Sequence, residues 1–164
     1  MSENLRLQVS KVVRATRKQA FEAWTRPELL MQWFGPGEML PSEAAVDARP
    51  QGALRFVIQG PSPRTGQVMT LVFTGTFREV VADERLVFDW VVANDPGDPT
   101  LVTVEFNEAE AGTEVVLTHE KIPNADLLNR NRFGWGGMLD KLAALSAEVE
   151  ASSADETDRL VKQA

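Results

Sequence analysis

The chain has 164 residues, with 17 Lys and Arg against 24 Asp and Glu, one His and no Cys. This length suits one domain that buries roughly two-thirds of its unfolded surface in a single core. A net charge of −7 opposes phosphate backbones and anionic lipid surfaces, which excludes nucleic acid as the default partner. Without Cys there is no disulfide framework, thiolate metal site or thiol nucleophile, and a lone His makes no metal centre. The first residues lack a basic segment leading into a long apolar one. No later apolar run approaches the roughly 20 residues of a membrane span, so an unexported, cytoplasmic chain is expected.

Leu5, Leu7 and Val9 alternate with polar residues, which predicts a half-buried first strand. Thr16 is placed to cap a short helix whose Ala20, Phe21 and Trp24 share one face, and this makes Trp24 a core residue. Pro27 ends that helix and suits the first turn of a second, PELLMQWF, closed by Gly35, Pro36 and Gly37. A weaker strand follows over residues 38–47.

Five apolar alternations come next. Their inward rows are Leu54, Phe56 and Ile58; Met69, Leu71, Phe73, Gly75 and Phe77; Leu86, Phe88 and Trp90; Val102, Val104 and Phe106; and Val115, Leu117 and His119. Polar residues between them and Gly-, Pro- and Asp-bearing connections predict an antiparallel sheet of consecutive hairpins with one oily face. From residue 124 to about 150 the apolar spacing becomes helical, with Asn124 as cap and Trp135, Met138, Leu139 and Leu142 on one stripe. Gly134, Gly136 and Gly137 weaken that helix by about 1 kcal/mol each relative to Ala and need a reason in packing or ligand binding. Residues 1–151 are expected to form the domain and 152–164 a polar C-terminal tail, in which a short helix is an alternative.

Strands flanked by helices define an α+β domain, and only the last helix is large enough to cover the oily sheet face. A twisted sheet gripping one helix need not close completely, which predicts an apolar pocket inside. FEAWTRPELLMQWFGP, GTFREVVADERLVFDW and GTEVVLTHEKIP followed by RFGWGGMLDKL resemble the family of homologues of the activator of the heat-shock protein 90 ATPase. This family lies in the START-like, or SRPBCC, superfamily of polyketide cyclases and the birch pollen allergen. The resemblance covers about residues 5–150. It implies a helix-grip fold: a curved antiparallel sheet of six or seven strands around a long C-terminal helix, with two short helices after the first strand. It also implies an apolar ligand held between sheet and helix. Chaperone activators carry a separate N-terminal module; with the first strand starting within the first ten residues, none is expected here.

The ligand-binding residues expected on this basis are Trp33, Phe34, Phe56, Met69, Phe73, Phe88, Trp90, His119, Trp135 and Met138. His119 is a candidate general base or polar anchor, with a structural, hydrogen-bonded imidazole as its alternative. Trp33 and Phe34 are either a lid at the pocket mouth or a core plug. Trp135 offers its indole N–H to a ligand oxygen, unless the neighbouring glycines only allow close packing. Arg130 and Arg132 could meet an anionic ligand or form exposed ion pairs. Asp83 with Glu84, and Glu108 with Glu110, read as solvated turn charges. GWGG lies in the helical segment and is no dinucleotide fingerprint; no GxSxG elbow or phosphate loop occurs.

The leading expectation is therefore a small-molecule binding protein for an apolar, aromatic or lipid-like ligand, with no cofactor or metal. A cyclase or hydrolase using His119 as general base is one alternative, and a module acting on a chaperone ATPase is the other. A homodimer is left open.

Overall fold

In the computed structural model, residues 4–62, 64–93 and 97–163 are described, with side chains as far as Ala147. Strand β1 (Leu5–Val13) leads into helices α1 (Arg17–Thr25) and α2 (Pro27–Trp33). Strands β2 (Leu40–Val46), β3 (Ala53–Pro61), β4 (Val68–Val81), β5 (Arg85–Val92), β6 (Thr100–Ala109) and β7 (Gly112–Ile122) follow, and helix α3 (Ala125–Gln163) ends the chain. The sheet has the order β1-β7-β6-β5-β4-β3-β2 and is antiparallel throughout. The two short helices therefore carry the chain from one sheet edge to the other, and the meander walks back. This is the seven-stranded helix-grip arrangement.

Local signals place the elements. Thr16 Oγ1 accepts from the Gln19 N–H at 3.1 Å while the Gln19 side chain accepts from the Thr16 N–H at 3.0 Å, a reciprocal capping box that starts α1. Pro27 opens α2, where its missing N–H costs nothing. Asn124 Oδ1 accepts from the Leu127 N–H at 2.8 Å and caps α3. The α3 backbone stays helical to Gln163, beyond residue 150 where the apolar spacing fades.

The inward rows form one core with the buried stripe Trp135, Met138, Leu139 and Leu142 of α3. Trp24 is in that core, as its helical partners predict. Its ring lies 4.9 Å from that of Trp33 and 6.1 Å from that of Phe34 between centroids, and its buried indole N–H has no hydrogen-bond partner among the described residues. Extra residues in β7 (against β1), β2 and β4 shift the register and bend the sheet around the helix. At Gly75 the strands approach so closely that a Cβ would stand 2.0 Å from the Asp89 carbonyl oxygen, so only glycine fits.

Candidate functional site

Between the first half of β4 and the early turns of α3 the grip stays open, leaving a cleft of about 620 Å³. Met69, Leu71 and Phe73 of β4 and Trp90 of β5 form one wall, and Gly134, Trp135 and Met138 of α3 face them. Phe73 stacks on Trp90 with centroids 4.7 Å apart, making a flat aromatic floor. The helix side is shallow because Gly134 has no side chain. A Cβ built there, or on Gly136 or Gly137, would meet no atom within 4 Å. The glycines thus border free volume and are not required by close packing. Phe133 and Met69, 67% and 40% exposed, give the mouth an apolar rim.

Five of the ten expected ligand residues, Met69, Phe73, Trp90, Trp135 and Met138, line this cleft together. The structure places Trp33, Phe34, Phe56 and Phe88 elsewhere in the core. Trp33 and Phe34 are fully buried. The Trp33 indole N–H donates to the Ala23 carbonyl at 3.0 Å, and Phe34 stacks on Phe56 at 4.3 Å. Phe88 packs edge-on against Phe77. The end of α2 is a plug that fills the β3 side of the sheet. The turn after it is tied down as well, because Lys141 Nζ donates to the carbonyls of Gly35 (2.7 Å), Gly37 (2.9 Å) and Met39 (3.1 Å). Burial holds the Lys141 pKa below its ordinary value.

His119 sits on β7 between β1 and β6 and is 1% exposed. The Trp135 indole N–H donates to its Nδ1 at 3.0 Å, so that nitrogen carries no proton. Nε2 is then the protonated nitrogen and donates to Thr100 Oγ1 at 2.7 Å, while the Thr100 hydroxyl donates to the Trp90 carbonyl at 3.2 Å. Every donor and acceptor in this relay is engaged, and desolvation lowers the imidazole pKa to about 4. The ring is neutral and has no lone pair free for a substrate proton. Glu120 faces the other side of the strand, as alternation predicts, and pairs with Arg6 at 3.7 Å.

A second cleft of about 660 Å³ adjoins the first, sharing Trp90, Val92, Leu127, Arg130 and Asn131 with it. Polar groups prevail there, including Arg78, Asp89, Asp98 and Lys121, and His119 reaches its wall. Arg130 forms an exposed pair with Asp126 at 3.3 Å. Sequence reasoning missed Pro36, Met39 and Arg64 as walls, which the loops bring in from afar. Only the spacing of Leu127, Arg130, Asn131 and Gly134 on one helix face could have signalled the helix side. Asp83, Glu84, Glu108 and Glu110 lie away from both clefts, and Glu84 pairs with Arg17 at 3.6 Å.

An antiparallel sheet gripping one long helix, with a partly open apolar cleft between them, defines a START-like α+β domain. The chain belongs to the family described as Activator of Hsp90 ATPase homolog 1-like protein, whose model matches residues 14–147. Among solved structures, protein CV1439 from Chromobacterium violaceum is similar at 24% identity and a TM-score of 0.74, over 86% of this chain and 96% of that one. Protein NE0264 from Nitrosomonas europaea matches at 25% identity and 0.71, over 90% and 97%. An AHSA1-like protein from Aeromonas hydrophila matches at 21% and 0.66, over 91% and 94%. No curated protein matches the sequence. Among the described residues no helix is long and apolar enough to cross a membrane.

Proposed function

We propose that the chain is a small-molecule binding protein that holds a largely apolar, aromatic ligand in the cleft between β4, β5 and α3. The observation that carries this reading is the stacked Phe73–Trp90 floor facing a helix side kept empty by Gly134. The volume of about 620 Å³ lies within the roughly 300–1,000 Å³ typical of ligand pockets. Burying some 300 Å² of apolar ligand surface at about 25 cal/mol per Å² gives roughly 7 kcal/mol before the cost of immobilisation, enough for micromolar affinity.

Trp90 and Trp135 line the cleft, so a guest changes the environment of two of the four indoles. Titration of tryptophan fluorescence with planar polycyclic aromatics is expected to give a saturable change. A linear, non-saturating response across the series would contradict the reading. Turnover with His119 as general base is not favoured by its geometry, since both ring nitrogens are engaged.

A further inference from the structure

The apolar cleft and its polar neighbour share one wall, and among the described residues Arg130 is the only cation that lines both. Its partner Asp126 is one helical turn away on the same helix, with side chains 46% and 81% exposed, a pairing that solvent screens strongly. A guanidinium has five N–H donors, so one loose ion pair leaves it free to bind a second carboxylate side-on.

Behind Arg130, the second cleft contains Lys121. This residue has φ of +64°, in the left-handed region that a lysine adopts only at a cost. The cause is local: between the pairs Leu7–His119 and Leu5–Ile122, Glu120 and Lys121 together stand opposite Arg6 alone. Such a bulge re-aims a side chain, here toward the cleft. Asp89 on the same wall is committed to Arg78 at 2.5 Å. Across the two clefts four cations face three carboxylates among the described residues, on a chain whose net charge is −7. The lining of the two clefts thus carries one more cation than carboxylate, where the chain as a whole is acidic.

Resting on the reading of the cleft as a ligand site, we propose that the ligand is an anionic amphiphile. Its apolar body lies on Phe73 and Trp90, and its carboxylate is held by Arg130 at the junction of the clefts, with Lys121 as the second cation. The Arg130–Asp126 pair opens to receive it.

The test compares 4-(1-pyrenyl)butyric acid with its uncharged primary amide, titrated into the full chain at pH 7.5. The acid is expected to bind at least tenfold more tightly than the amide. Arg130→Gln should reduce that ratio to within threefold, and Asp126→Asn should tighten the acid at least twofold. Unchanged circular dichroism and thermal midpoints confirm that these exposed substitutions leave the fold intact. Equal binding of acid and amide to the wild type would overturn the inference while the cleft reading stands. So would a ratio that persists in the Arg130→Gln, Lys121→Gln double variant. Failure of both probes to bind would overturn the cleft reading itself.

Discussion

The Trp135 indole N–H donates to His119 Nδ1 across 3.0 Å, joining α3 to β7 inside the core. This bond selects the His119 tautomer and fixes the indole that walls the cleft. Replacing Trp135 with Phe keeps an aromatic ring but strands the Nδ1 lone pair. An unsatisfied buried acceptor costs about 1–3 kcal/mol. The single imidazole resonance should then titrate above its wild-type value of about 4, because Nδ1 is free to take a proton. An unchanged titration in Trp135→Phe would show that the bond does not set the protonation state.

The same histidine makes stability depend on pH. Its folded pKa, about 4, lies below the ordinary 6.5, so between these values the unfolded chain binds the proton and the native chain does not. The stabilisation is fully present above pH 6.5, declines as pH falls, and levels off near pH 4. The gap is worth up to roughly 3 kcal/mol. Urea midpoints between pH 7 and 5.5, above the carboxylate range, should fall for the wild type and stay nearly flat for His119→Gln. Parallel curves would refute the assignment.

Gly136 and Gly137 carry a helix penalty with no steric compensation, since a Cβ on either meets nothing within 4 Å. Gly136→Ala and Gly137→Ala are each expected to stabilise the fold by about 0.5–1 kcal/mol, read as a higher urea midpoint at unchanged slope. A loss of stability in both would mean that the backbone around α3 is tighter than its geometry shows.

Lys141 offers a sharper probe of what anchors the α2 turn. Lys141→Met keeps the aliphatic stem and removes the ammonium from three carbonyl oxygens, at a cost of about 1–3 kcal/mol. Amide exchange at residues 35–39 should accelerate selectively. If exchange rises equally over the whole sheet, the contact serves global stability and does not anchor the turn.

These residues also mark where reading from sequence succeeds and stops. Period-2 alternation marks six of the seven strands, β2 being read only as a weaker strand, and Thr16, Pro27 and Asn124 mark helix starts, because those signals are local. The same alternation put Phe56, Phe73, Phe88 and Trp90 on one oily face without distinguishing wall from filling. That division depends on where the α2 plug inserts: Phe34 stacks on Phe56, while Phe73, stacked on Trp90, lines the cleft. The Lys141 clamp joins positions about a hundred residues apart and has no local signature. His119 was correctly aimed inward, but its saturation by Trp135 and Thr100 is a tertiary fact. The continuation of α3 to Gln163 is legible only as the alternative of a short helix in the tail, because that segment shows too little apolar periodicity.

The most direct test is to fill the space beside Gly134. Calorimetric titration of a planar polycyclic aromatic into wild-type protein and Gly134→Phe should show binding in the first and at least tenfold weaker binding, or none, in the second, at an equal or higher melting temperature. Equal affinity in the filled variant would contradict a guest site between sheet and helix.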